Sequence, residues 1–208
     1  MSQMAPSEWS SGLQTWLATD GVSEALLKKN LSLTPTERLN GFLEYYRSVA
    51  LSRGQNFSPR LSIPVEFDPM RLLGALERHD VEFVVAGGMA AVLHGSFLIT
   101  WDLDVLLLDT SENRSRVVAT FGVETLSPPA AGRLNFVTEL GAVDCQFDST
   151  RYRRVSARTQ TISLENQVVR VESLDDLIDA KASPVRPDEQ VRLWELLELR
   201  EVVASLLT

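Results

Sequence analysis

The stretch VVAGGMAAVLHGSFLITWDLDVLLL, residues 84–108, constrains this chain more than any other. A short apolar strand runs into Gly87-Gly88, a few helical residues follow, and Asp102 and Asp104 then open a second apolar run. On a strand, residues two apart share a face, about 6.6 Å from each other. Asp102 and Asp104 therefore point one way while Trp101, Leu103 and Val105 point the other. Like charges at that spacing repel, so either one carboxyl keeps its proton or a cation lies between them. Hard divalent cations such as magnesium or manganese take carboxylate oxygens together with substrate phosphates. Two solvated residues at a strand entrance would read the same in isolation. The context adds to the metal reading. Glycines at a strand-to-helix turn let backbone approach a phosphate, and the helix N-terminus supplies free N–H groups.

A third carboxylate is available in GAVDCQFD, where Asp144 alternates with core-facing Val143 and Cys145. If that strand neighbours the first, Asp144 joins Asp102 and Asp104. Asp148, on the same face, is the runner-up. Three carboxylates around two cations suit in-line phosphoryl or nucleotidyl transfer: one ion binds the triphosphate, the other lowers the pKa of the attacking hydroxyl.

Along the chain, residues 1–56 read as a helical N-terminal segment, with SEWSSGLQTWLA, SEALLKKNL and TPTERLNGFLEYYRSVALSR as its helices. Thr34, Pro35 and Glu37 make a capping box with proline in the first turn. Residues 57–67 read as linker and 68–172 as an α/β core. Helices after Ser173 and Pro187 fill 173–208. The core reads helix, VEFVVA strand, MAAVLHG helix closed by Gly95, Asp102–Leu108 strand and SENRSRVVATF helix. The paired strands RLNFVTEL and GAVDCQFD follow, with QVVRVES as a last strand. This is a mixed α/β (α+β) chain: a small mixed sheet flanked by helices, with a helical N-terminal extension.

The net charge of −8 argues against a broad nucleic-acid-binding face. No apolar run approaches the ~20 residues of a membrane span. The N-terminal residues lack a secretory pattern, and a single cysteine forms no internal disulfide, so the expected location is cytoplasmic. Cys145 reads as a buried small hydrophobe, His79 as a helix-end residue and His94 as structural. Neither histidine has a partner at zinc-ligand spacing. Gly95-Ser96 rivals Gly87-Gly88 as a phosphate turn but follows no strand. Phosphatase, P-loop and Rossmann readings fail on motif order: the apolar run follows the aspartates, no G-x-x-x-x-G-K-[ST] exists, and GGMAA is not GxGxxG. Lys181 is isolated, the other lysines being Lys28 and Lys29.

Strand, Gly-Gly, helix, Asp-x-Asp and a later Asp on another strand together resemble the polymerase-beta-like nucleotidyltransferase superfamily. GGMAAVLHG…TWDLDV and SLDDLIDAKASPVRPDEQ (173–190) look like its AbiEii-type branch, associated with toxin–antitoxin and abortive-infection systems. The resemblance spans about residues 70–200. It implies a nucleotidyltransferase-like fold in which Gly87 and Gly88 hold the triphosphate of an NTP. Asp102, Asp104 and Asp144 bind magnesium or manganese, Asp144 serving as ligand or as base. Lys181 and Thr100 contact the phosphate region. The acceptor hydroxyl belongs to a protein, an RNA such as a tRNA end, or a small molecule. Relatives often carry an arginine where this chain has Leu98, and Arg114, Arg116, Arg133 or Arg186 are candidates to replace it. The alternative is a catalytically weak member acting as a regulatory partner. Trp9, Trp16, Phe42, Tyr45 and Tyr46 would be anchors for such a protein partner, or else core.

Overall fold

The computed structural model describes residues 24–52, 66–122, 132–165, 167–182 and 187–207. The first expected helix with Trp9 and Trp16, most of the linker, and Arg186 lie outside the described residues. Capping chemistry explains where most helices begin. Helix α1 (Glu24–Leu31) precedes α2 (Pro35–Ser52), where Thr34 N and Oγ1 both donate to Glu37 Oε2 and Glu37 N donates back to Thr34 Oγ1. Helix α3 (Pro69–Arg78) starts from Asp68, whose side chain accepts from Arg71 N, and ends at His79. Strand β1 (Phe83–Val85) leads into α4 (Gly87–His94), closed by Gly95. Strand β2 (Asp102–Leu107) is followed by α5 (Ser111–Phe121), capped by Thr110. Strands β3 (Arg133–Thr138) and β4 (Gly141–Phe147) form a hairpin.

The next two elements depart from the sequence reading. Residues 149–164 carry a helix, α6 (Ser149–Ser156), and a strand, β5 (Gln160–Leu164). Helix α6 buries only Tyr152 and Val155, one helical turn apart, so its apolar periodicity is too thin to read. It starts because Asp148 caps it, accepting from Arg151 N. Asp148, the runner-up third carboxylate, thus serves as the N-cap of this helix. Strand β6 (Gln167–Val171), α7 (Leu174–Lys181) and α8 (Pro187–Leu206) complete the chain.

The strands form one sheet in the order β3-β4-β2-β1-β6-β5, with β2–β4 and β1–β6 parallel and the other neighbours antiparallel. It is a small mixed α/β sheet flanked by helices. Alternation sorts the two faces. Val85, Leu103, Val105, Val143, Cys145, Val169 and Val171 enter the main core with residues of α1, α2, α3, α4, α7 and α8. Phe42 and Tyr46 belong to that core, whereas Tyr45 is exposed. The opposite face carries a smaller cluster, Val84, Ala86 and Leu106 beneath Tyr152 and Val155 of α6. Helix α6 thus covers part of that face, and the residues beyond it on β2 and β4 are the aspartates. Among the described residues, no helix is long and apolar enough to cross a membrane.

Candidate functional site

Parallel pairing of β2 with β4 aligns Asp104 with Asp144 and Asp102 with Ala142. All three aspartates sit on the face away from the main core, and each is partly exposed. The same row continues on the other side of β2, where Ala86 N donates to the Asp104 carbonyl. Ala86 is the N-cap of α4 and offers no side-chain cap. The carboxylate of Asp104 takes that place, accepting from Gly88 N at 3.2 Å. Gly87 has φ +58, and a Cβ there would lie 2.1 Å from Asp104 Oδ2. A Cβ on Gly88 would lie 2.4 Å from Thr100 Oγ1. Both positions therefore need glycine, Gly87 for its backbone conformation as well. Thr100 Oγ1 in turn donates to Asp102 Oδ1 at 3.1 Å.

The electrostatics follow from this crowding. Burial, then Asp102 and Asp144, push the Asp104 carboxyl up to about 7, against the pull of Gly88 N–H and Lys181. Burial also raises Asp144, helped by Asp102 and opposed by Arg133. Asp144 Oδ1 is buried with no hydrogen-bond partner, while its Oδ2 lies 3.9 Å from Arg133 Nη1. Lys181, at the end of α7, faces Glu189 at 3.6 Å and is mostly buried. Among the described residues no three His, Cys, Asp or Glu side chains are gathered closely enough to grip a metal ion. The reason is visible residue by residue: Asp102 turns to Thr100, Asp104 to Gly88 and Asp144 toward Arg133. The donor set still fits a hard divalent cation in its chemistry, with three oxygen-only side chains on one face and a buried carboxylate oxygen lacking a partner. Asp102, Asp104 and Asp144 would hold it.

The sequence-predicted residues Gly87, Gly88, Thr100, Asp102, Asp104, Asp144 and Lys181 thus converge on one end of the sheet. Gly95-Ser96 is not an open phosphate turn. Ser96 Oγ and Phe97 N donate to Glu195 of α8, at 2.6 and 2.8 Å. His94 is buried, pairs through Nε2 with the Glu172 carbonyl at 2.7 Å, and is held below its usual pKa by that burial. Cys145 is buried, which pushes its thiol up. Leu98 lines a cavity of about 820 Å³ with Phe42, Trp101 and Arg192. Of the described arginines proposed to stand in for it, Arg114 pairs with Asp109 and Arg116 with Glu112. Arg133 lies 3.9 Å from Asp144.

Sequence reasoning missed Glu195, Gln146, Arg151 and Glu172. Glu195 is buried on α8 and holds the loop that ends in Thr100. Arg151 donates through Nη1 to Gln146 Oε1 at 2.8 Å and through Nη2 to Glu172 Oε1 at 2.6 Å. Gln146 had a legible signal, since it follows Asp144 by two residues on β4.

No family model matches the chain, and no curated protein matches it. Among solved structures it is similar to the crystal structure of a Thermotoga maritima protein provisionally described as a nucleotidyltransferase. The identity is 13%, the match covers 68% of this chain and 97% of that one, and the TM-score is 0.42. A likeness of that size says nothing of what the residues here do.

Proposed function

We propose that this chain is a metal-dependent nucleotidyltransferase that moves a nucleoside monophosphate from an NTP to a hydroxyl. The observation that carries the reading is the Asp104–Asp144 register, which sets a third carboxylate beside the Asp102/Asp104 pair, next to the glycine-rich start of α4. In this reading the backbone N–H groups of Gly87 and Gly88 and the ammonium of Lys181 hold the triphosphate. Asp102, Asp104 and Asp144 would hold magnesium or manganese, which neutralises phosphate charge and acidifies the acceptor hydroxyl when bound. The acceptor oxygen attacks the α-phosphorus, the bond to the bridging oxygen breaks, and pyrophosphate leaves with that oxygen. Asp144 Oδ1, buried and without a partner, is the atom suited to take the hydroxyl proton. Thr100 fixes the Asp102 rotamer. The acceptor is a protein, RNA or small-molecule hydroxyl, and the AbiEii resemblance implies a toxin–antitoxin-like system.

The second reading is a regulatory partner with weak or lost catalysis. It is favoured by the carboxylates turned to separate partners and by Leu98, which lines the cavity. Incubating the chain with each labelled NTP, divalent metal, and cell RNA and protein separates the two. Label on one acceptor class, lost in Asp102→Asn/Asp104→Asn, supports transfer. Magnesium-dependent NTP binding with no label and no pyrophosphate supports the partner reading.

A further inference from the structure

We propose that Arg151 is a phosphate-binding residue of this site and that the buried Glu172 positions it. The inference rests on the nucleotide reading above.

One row of residues crosses the sheet beside the start of α4. Glu172 N donates to the Val85 carbonyl, Ala86 N to the Asp104 carbonyl, and Asp104 pairs with Asp144. Their neighbours Val171, Val85, Val105 and Cys145 all face the main core, so Glu172, Ala86, Asp104 and Asp144 share the opposite face. Ala86 lies between Glu172 and Asp104 in this row, and their strands are two spacings, about 9.5 Å, apart. The guanidinium of Arg151, from the first turn of α6, lies on this same face of the sheet. It is pinned between Glu172 and Gln146, the latter on the same face as Asp144. A guanidinium is a rigid fork of five donors, and these two bonds engage one N–H on each terminal nitrogen.

The cost of this arrangement argues against a purely structural bridge. Glu172 is fully buried, and its Oε2 has no hydrogen-bond partner. The neighbouring cluster of Val84, Ala86, Leu106, Tyr152 and Val155 is apolar. In such surroundings an apolar pair is generally as stable as an ion pair, or more so. What the pair does supply is a guanidinium of fixed orientation on the face that carries Asp104, where Gly88 N–H already meets a carboxylate. Helix amides and a guanidinium fork along one face of the sheet are complementary to a phosphate chain.

The test is calorimetric titration of the full chain with magnesium tripolyphosphate and magnesium ATP, well below the melting temperature. Arg151→Gln is expected to weaken both by roughly tenfold or more, the loss of a charged hydrogen bond. Arg151→Lys recovers part of the affinity, keeping the charge without the fork. Glu172→Gln weakens both ligands while Arg151 is still present. A bridge that merely stabilises the fold would lower the melting temperature of these variants and leave the affinities of the folded proteins unchanged; that result overturns the proposal. If Arg151→Gln does not fold, Arg151→Lys decides: unchanged affinity for both ligands overturns the proposal, weaker affinity supports it. If the native chain binds neither ligand, the nucleotide reading falls and takes this inference with it. If the native chain binds and the folded variants bind equally, this inference alone falls.

Discussion

Asp104 and Asp144 stand side by side on parallel strands β2 and β4, their Cα positions paired in register. Asp148, four residues along, is instead the cap of α6 and accepts from Arg151 N at 2.9 Å. The two carboxylates therefore have separable roles. Asp144→Asn is expected to reduce nucleotide transfer by about 10²–10⁴-fold, the range of a lost general base, with little change in melting temperature. Asp148→Ala is expected to cost about 1 kcal/mol of stability and to leave transfer measurable. Paired activity and denaturation measurements on the two variants check this; the reverse pattern would exchange the assignments.

The crowding of Asp104 predicts a pH dependence with a definite sign. Its carboxyl lies near 7 in the folded chain, against about 3.9 when unfolded. Between those values the folded state holds more protons than the unfolded one, so this group lowers stability as pH rises from about 4 to about 7. His94, buried and held below its usual value, acts oppositely as pH falls through the imidazole range. The difference between native protein and Asp104→Asn isolates the aspartate. Melting temperatures measured across pH in EDTA should show the variant gaining on the native chain as pH rises. Added magnesium should raise the native melting temperature more at pH 8 than at pH 5, where the proton occupies the carboxyl.

Gly87 leaves no room for a side chain. Its φ of +58 disfavours any L-residue, and an added Cβ would meet Asp104 Oδ2 at 2.1 Å. Gly87→Ala is expected to cost about 1–3 kcal/mol and to displace the Asp104 carboxylate. Urea denaturation and titration with magnesium ATP on the same preparation check both; native stability with native affinity would refute the account of this turn.

The parts of this site that are local in sequence were legible. Gly87-Gly88, the Asp102/Asp104 alternation and the caps at Thr34, Asp68 and Ser173 depend on neighbours a few residues away. Asp144 was legible because β4 alternates strictly, although its pairing with β2 was only an expectation until the sheet order was known. The residues that escaped notice depend on long-range partners. Arg151 lies on a helix with two buried residues, and its meaning comes from Glu172, which directly follows strand β6. Strand β5 pairs only with β6, at the edge of the sheet, and buries Ile162 and Leu164 alone. Its apolar signal is too short to stand out.

Glu195 is the other residue whose role emerges only from the fold. It is buried on α8, and its carboxylate accepts from Ser96 Oγ and Phe97 N, while Arg192, one turn earlier, donates to the Ile99 carbonyl. Helix α8 thereby fastens the loop that delivers Thr100 to Asp102. Glu195→Ala would strand a buried hydroxyl and an amide and is expected to cost about 2–4 kcal/mol. Glu195→Gln keeps the volume and one acceptor oxygen, so one of the two bonds survives and its cost should be smaller. Hydrogen exchange gives the sharper readout. In the alanine variant, amides of residues 96–101 should exchange faster while those of β2 and β4 keep their protection, and magnesium ATP affinity should fall through the loosened Thr100–Asp102 contact. Equal acceleration across the sheet would instead make Glu195 a general core residue.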